Sequence, residues 1–208
     1  MLTKKIPFLR MLIFFSLLMG CATTHPNIPV DEFSVEPGTS VARKGQSFKL
    51  LGTPIAVGKA LPSVELRDAN TMAKVDLSTM KGSVLLLSIV PSLDTPVCEA
   101  QTHYLGVEGD KLSPAIKRIV ISRDTPFAQK RFAQEAKLTD LQYLSDHGDA
   151  SFGKATGLLM DDIMLLSRSV IVVDREGKVR YIQVVPDISH LPDMERAFKK
   201  AEELRGEE

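Results

Sequence analysis

The 208-residue sequence has only two cysteines, Cys21 and Cys98, and no Cys-x-x-Cys pair. The missing pair argues against a dithiol oxidoreductase. Basic and acidic side chains balance at 26 each, so there is no strong field to attract nucleic acid. The four histidines show no metal-ligand spacing, and no glycine-rich phosphate loop precedes a helix. We therefore expect no metal, no cofactor and no nucleic-acid partner.

A long hydrophobic run is also missing. The apolar stretch Met11–Met19 is well short of the ~20 residues that a membrane-spanning helix needs. It follows three basic residues within the first ten, as in a signal peptide. Leu18-Met19-Gly20-Cys21 resembles the bacterial lipobox, with Met19 as the departure, which implies a lipid on the Cys21 sulfur. The alternative is a plain secretory signal or a short membrane anchor with an incidental cysteine.

These features predict three segments and a location. Residues 1–20 are a predicted lipoprotein signal peptide, 21–46 the lipidated cysteine and a proline-containing tether, and 47–208 one domain. Lipidation implies a protein of the cell envelope, held to a membrane by its lipid anchor. Ala22 after the cysteine resembles proteins that are sorted to the outer membrane, where the cell has one.

Apolar patterning predicts an α/β domain. Strands are expected at 48–51, 55–57, 63–67, 73–77, 83–90, 116–121, 141–145, 169–174 and 178–184. Helices are expected at 97–109, 126–135, 150–155 and 191–204. The run 83–90 is apolar on both faces, which favours a strand inside the sheet. The pattern predicts a mixed central sheet flanked by helices, with an N-terminal β-hairpin at 48–57.

The stretch Pro91-Ser-Leu-Asp-Thr-Pro-Val-Cys98 follows that buried strand. A cysteine in the first turn of a helix lies near free backbone N–H groups and the positive end of the helix dipole, which stabilise a thiolate. Thr95 could place its hydroxyl beside the sulfur, and Pro91 could shield the site. The alternative is a buried structural cysteine, the usual role of a lone cysteine in a core.

The spacing Pro-x3-Thr-x2-Cys is that of the peroxiredoxin active site, and PSLDTPVC after LLLSIV resembles the thiol peroxidase branch of that family. Further similar segments follow in order: 48–57, Asp124–Phe132, Phe152–Gly157 and Leu166–Asp174. The resemblance implies a thioredoxin-like fold and a peroxide substrate, with a homodimer as a common arrangement. It also implies roles for four residues: Cys98 as the peroxidatic cysteine, Thr95 as its hydroxyl partner, Pro91 as the shielding proline and Arg168 as the arginine that stabilises the thiolate and polarises the peroxide.

One position departs from that branch. Its members usually carry a resolving cysteine directly after an Arg-Phe pair, whereas Arg131-Phe132 is followed here by Ala133. The usual intramolecular disulfide therefore cannot form. We expect a one-cysteine peroxidase whose reductant is an external thiol, either a small molecule or a thioredoxin-like protein. The alternative is an envelope redox sensor or binding protein that keeps the fold without efficient turnover.

Overall fold

The computed structural model describes residues 27–207. Over this stretch the strands are Val30–Asp31 (β1), Ser40–Arg43 (β2), Gln46–Leu51 (β3), Glu65–Asp68 (β4), Lys74–Asp76 (β5), Val84–Ile89 (β6), Ile116–Ser122 (β7), Gln142–Ser145 (β8), Leu159–Met160 (β9), Ser169–Val173 (β10), Val179–Val184 (β11) and Leu191–Pro192 (β12). The α-helices are Pro96–Val107 (α1), Pro126–Glu135 (α2), Ser151–Thr156 (α3) and Met194–Gly206 (α4). No helix between residues 27 and 207 has the length and apolar character needed to span a bilayer.

A seven-stranded sheet forms the centre of the fold, in the order β11, β10, β6, β7, β8, β4, β5. Strands β6, β7 and β8 are parallel, and antiparallel strands complete both sides. All six residues of β6 are buried, because an apolar strand inside a sheet can pack on both faces. The predicted mixed sheet is confirmed.

Side chains alternate along β6 between two hydrophobic layers. The first layer joins β6 to α1, α2 and α4, and includes Val84, Leu86, Leu105, Ala133 and Phe198. The second joins β6 to α3 and to a smaller sheet of β2, β3 and β9, and includes Leu85, Leu87, Phe48, Phe152 and Met160. Because β6 is packed on both sides, its C-terminal end is a rigid base for the segment that follows it.

The N-terminal hairpin is present, but its predicted partner strand is wrong. Strand β3 pairs with the upstream β2, not with residues 55–57. The turn Lys44-Gly45 has positive φ at both residues, which suits a two-residue hairpin turn. The segment after β3 instead follows the end of α3, where the Thr53 amide donates to the Lys154 carbonyl at 2.7 Å.

Two of the short strands that were not predicted, β1 and β12, change the ends of the domain. Strand β1 pairs in parallel with β12, immediately before α4. Helix α4 therefore begins at Met194 rather than at 191, and the Asp193 carboxylate caps it by accepting from the Arg196 amide at 2.9 Å. Strands β1 and β2 both lie in the segment 21–46 that the sequence predicts as a tether.

Candidate active site

The segment between β6 and α1 places Cys98 at the centre of the protein. Thr95 is the N-cap of α1 with extended backbone, and Pro96 begins the helix, where its missing N–H costs nothing. Cys98 thus lies in the first turn, where backbone N–H groups have no partner within the helix. Its side chain is a free thiol and is fully buried.

Arg168 lies directly before β10 and reaches Cys98 across the sheet end. Its Nη2 lies 3.3 Å from the Cys98 Sγ, and the residue is only 2% exposed. Its Nε donates to the Ile188 carbonyl at 2.9 Å, and its Nη1 donates to the Gln101 Oε1 at 2.8 Å. A weaker contact of 3.4 Å joins Nη1 to the Val97 carbonyl. The guanidinium is therefore held in a fixed orientation towards the sulfur.

Among the described residues, no carboxylate forms a salt bridge with Arg168. A buried charge without a counterion is costly. The Cys98 thiolate is the anion within reach that would balance this charge. The geometry brings the predicted pair together.

Thr95 and Pro91 lie close to Cys98 in the chain, with contacts of their own. The Thr95 hydroxyl donates to the Ser92 carbonyl at 3.1 Å, so in this rotamer its proton does not point to the sulfur. Its role as a hydroxyl partner of the sulfur stays a prediction. Pro91 is buried just beyond the end of β6, as a shielding residue would be, and its role also stays a prediction.

Two polar residues around the site were not assigned a role from the sequence. Gln101 is fully buried in α1, three residues after Cys98, and its Nε2 donates to the Ser88 Oγ of β6 at 2.8 Å. Its Oε1 is the group that accepts from Arg168. A glutamine on the buried side of α1 and a serine in the apolar run of β6 were the available signals. Together they orient the arginine with a neutral partner, which leaves its full charge for the sulfur.

Asp124 holds the segment before Cys98. Its carboxylate accepts from the Ser92 Oγ and the Leu93 amide, both at 2.8 Å, and from the Ser122 Oγ at 2.7 Å. Charged hydrogen bonds of this kind are stronger than neutral ones. Asp124 therefore fixes the segment that precedes Cys98 to the end of β7.

Ala133 occupies the position where the resolving thiol was expected. It lies in α2, is 7% exposed and packs in the helix-side hydrophobic layer. A methyl group in this layer offers no redox chemistry. Cys21 and the predicted signal peptide 1–20 lie outside the described residues.

Comparison with known proteins settles the family. The Redoxin family model matches residues 56–198. The chain belongs to the Redoxin family. A thiol peroxidase of Halalkalibacterium halodurans is 40% identical over 162 residues, which is 78% of this chain and 96% of that protein. A thiol peroxidase of Bacillus subtilis is 37% identical over 161 residues, covering 77% and 95%.

Solved structures agree on the fold. A peroxiredoxin-like protein from Aquifex aeolicus superposes with a TM-score of 0.74 at 32% identity, covering 79% of this chain and 96% of that one. A thiol peroxidase from Chromobacterium violaceum gives a TM-score of 0.67 at 21% identity, with the same coverage, and supports the fold alone. The predicted peroxiredoxin fold and the resemblance to the thiol peroxidase branch are confirmed. The lipoprotein signal stays a prediction.

Proposed function

We propose that this Redoxin-family protein is a thiol-dependent peroxidase that reduces hydrogen peroxide or organic hydroperoxides with Cys98 as its single peroxidatic cysteine. The observation that carries the proposal is the 3.3 Å contact between the buried Arg168 guanidinium and the Cys98 Sγ. Relatives named thiol peroxidase, at 37–40% identity over most of their length, support it.

The first step is an attack of the thiolate on one peroxide oxygen. A sulfur–oxygen bond forms as the oxygen–oxygen bond breaks, so the sulfur is oxidised and the peroxide is reduced. The departing oxygen takes up a proton and leaves as water or an alcohol, and Cys98 becomes a sulfenic acid. Arg168 and the first N–H groups of α1 stabilise the charge that develops on the oxygens.

The second half of the cycle needs a thiol from another molecule, because residue 133 is alanine. An external thiol attacks the sulfenic sulfur, releases water and leaves a mixed disulfide. A second thiol then displaces Cys98 as a thiolate and forms the oxidised reductant. A small thiol or a thioredoxin-like protein would supply both equivalents. Without an internal resolving thiol, excess peroxide would drive Cys98 on to the sulfinic acid.

The proposed setting is the cell envelope, with the protein held to a membrane by a lipid on Cys21. This part rests on the signal-like residues 1–20 and the Leu-Met-Gly-Cys sequence that ends at Cys21. A homodimer is proposed on the resemblance to the peroxiredoxins. Metabolic labelling with a fatty-acid analogue, lost in Cys21→Ala, would test the anchor. Measurement of the molar mass of the purified chain by light scattering would test the dimer.

A redox sensor is the second candidate. Full burial of Cys98 and the alanine at residue 133 favour it, since both slow the return of an oxidised cysteine to the thiol. A sensor would react once with peroxide and remain oxidised until a particular partner reduced it. An enzyme would turn over repeatedly with a general thiol.

One experiment separates the two. One portion of the purified chain receives a slight excess of hydrogen peroxide, and Cys98 is followed by intact mass and by dimedone trapping. A second portion, without dimedone, receives hydrogen peroxide and dithiothreitol, and repeated peroxide consumption is measured. Rapid sulfenic acid formation with repeated consumption, both abolished in Cys98→Ser, supports the peroxidase. A Cys98 that does not react, or that reacts once and is never recycled, contradicts it.

A further inference from the structure

A loop at residues 185–191 holds the active-site arginine from two sides. The Ile188 carbonyl accepts from the Arg168 Nε at 2.9 Å, and the Val185 amide donates to the Arg168 carbonyl at 3.0 Å. Both the backbone and the side chain of the arginine therefore depend on where this loop lies. We call residues 185–191 the arginine loop.

The arginine loop is bound to residues 28–43, which we call the N-terminal strap. The Ile188 amide donates to the Ala42 carbonyl at 2.8 Å, and the Ala42 amide donates to the Pro186 carbonyl at 2.7 Å. Ile188 thus binds the strap through its N–H and the arginine through its carbonyl. A single residue separates strap and arginine.

The other end of the strap binds the far end of the loop. The Leu191 amide donates to the Pro29 carbonyl at 2.8 Å, and the Asp31 Oδ2 lies 3.1 Å from the His190 Nδ1. Gln183, 2% exposed, donates its side-chain amide to the Asp31 carbonyl at 2.5 Å and to the Phe33 carbonyl at 3.1 Å. A buried side chain is thus used to hold the strap.

The strap also reaches the helix that carries Cys98. Asn27 and Ile28 line a groove together with Leu191 and with Pro96 and Ala100 of α1. The strap and the residues just before it therefore lie beside both halves of the site. They precede residues 56–198, the part that matches the family model.

Covering a sheet edge is the simpler role for such a segment. The bond from the Val35 amide to the Val184 carbonyl, at 3.0 Å, fits that role, since β11 is an edge strand. Edge protection does not account for the paired bonds between Ala42 and the arginine loop, which lie beyond β11. These bonds act on the segment that sets the position of Arg168.

We propose that the N-terminal strap positions Arg168 for the peroxide reaction, and that Asp31 and Ala42 are the positioning residues. The proposal rests on the proposed function, because its kinetic consequence is the rate at which Cys98 reduces peroxide. Loosening the strap would let the Ile188 carbonyl shift and turn the guanidinium away from the sulfur.

The test uses two variants of the full chain, Asp31→Ala and Ala42→Pro. Proline removes the amide that donates to Pro186, at a position where the same amide is not needed for pairing with β3. The control is Asp68→Ala, which removes a hydrogen-bonded, buried carboxylate on β4, away from the arginine loop. Three quantities are measured: the rate constant of Cys98 with hydrogen peroxide, the free energy of unfolding, and the NMR signal of the Arg168 Nε–H.

We expect both strap variants to lower the rate roughly three- to thirtyfold, because small displacements of a catalytic group cost this much or more. The Arg168 Nε–H signal should shift with the rate. The control should lose stability and keep both the rate and the signal. Folded strap variants with a normal rate and an unchanged signal would overturn the proposal.

The two proposals fail separately. If the unaltered chain does not react with peroxide, the proposed function fails, and the Arg168 Nε–H signal alone decides whether the strap positions the arginine. If the unaltered chain reacts and the strap variants react equally fast, only the strap proposal fails. Should Ala42→Pro not fold, Asp31→Ala carries the test.

Discussion

Replacing Arg168 with methionine should slow the reaction of Cys98 with peroxide without unfolding the protein. At 3.3 Å and an effective dielectric constant of about 20, two unit charges interact by roughly 5 kcal/mol. Measured from the thiol and free peroxide, the barrier is lowered only by the part of this attraction that the transition state keeps, after negative charge has moved partly from the sulfur to the oxygens. If the transition state keeps roughly 2–3 kcal/mol of this attraction, Arg168→Met should react about 30- to 150-fold more slowly than the unaltered chain.

The effect of Arg168→Met on stability should be small. The variant leaves the Ile188 carbonyl and the Gln101 Oε1 without donors, at roughly 1–3 kcal/mol each. It also removes a buried charge, and such replacements by apolar side chains are often neutral or stabilising. We expect the free energy of unfolding to change by no more than about 2 kcal/mol.

The assay is quenched-flow mixing with hydrogen peroxide, with the sulfenic acid trapped by dimedone and counted by intact mass. Arg180→Met is the matched control, because Arg180 is a partly exposed arginine of β11 paired with Asp174 at 3.1 Å. The control should react at the normal rate. An Arg168→Met protein that reacts within threefold of the unaltered chain, or a control that slows equally, would refute the electrostatic argument.

Three further predictions concern other parts of the molecule. Ala133→Cys should let peroxide produce an internal disulfide with Cys98, seen as the loss of two hydrogen atoms in the intact mass; dimedone labelling that persists as in Ala133→Ser would contradict this. Asp124→Asn should lower the free energy of unfolding in urea by roughly 1–3 kcal/mol, while exposed Asp110→Asn should not; an equal urea midpoint would count against the role of this carboxylate. Burial alone would raise the pKa of Asp68, but hydrogen bonds from a glutamine side chain and a neighbouring turn lower this pKa below its ordinary value of 3.8. The carboxylate of Asp68 therefore stabilises the fold above pH 3.8, and this stabilisation is lost as the pH falls through the folded-state pKa. The free energy of unfolding, measured from about pH 5 downwards, should therefore fall less in Asp68→Asn than in the unaltered chain.

The parts of the fold that the sequence predicts well are those with local signals. Strand β6 is apolar on both faces, and α2 begins at a proline after a threonine cap, so the local sequence alone predicts each of these two elements. Cys98 and Arg168 were assigned from motifs, and the structure brings them into contact although 70 positions separate them. The local pattern carries no distance information, and the resemblance supplied that link.

Long-range pairing of short segments was not predictable in the same way. Strand β1 has two residues and pairs with β12 about 160 positions later, and neither carries a periodic pattern. Ala42 binds the arginine loop through backbone atoms alone, which leave no trace in residue type. The direction of the Thr95 hydroxyl could not be predicted from the sequence either, because it depends on whether the Ser92 carbonyl or the sulfur is the better acceptor.

The neutral surroundings of Arg168 have a consequence for the order of events at the sulfur. Of the oxidation states of Cys98, the thiolate and the sulfinate are anions, whereas the sulfenic acid and a mixed disulfide are uncharged. The guanidinium therefore attracts the sulfur most strongly at the start of the cycle and after overoxidation to the sulfinate, and less strongly in the uncharged states between them. In those uncharged states only the neutral bonds to Gln101 and Val97 join Arg168 to α1, so the charge attraction on the sulfur is weakest at the stage that needs an incoming thiol.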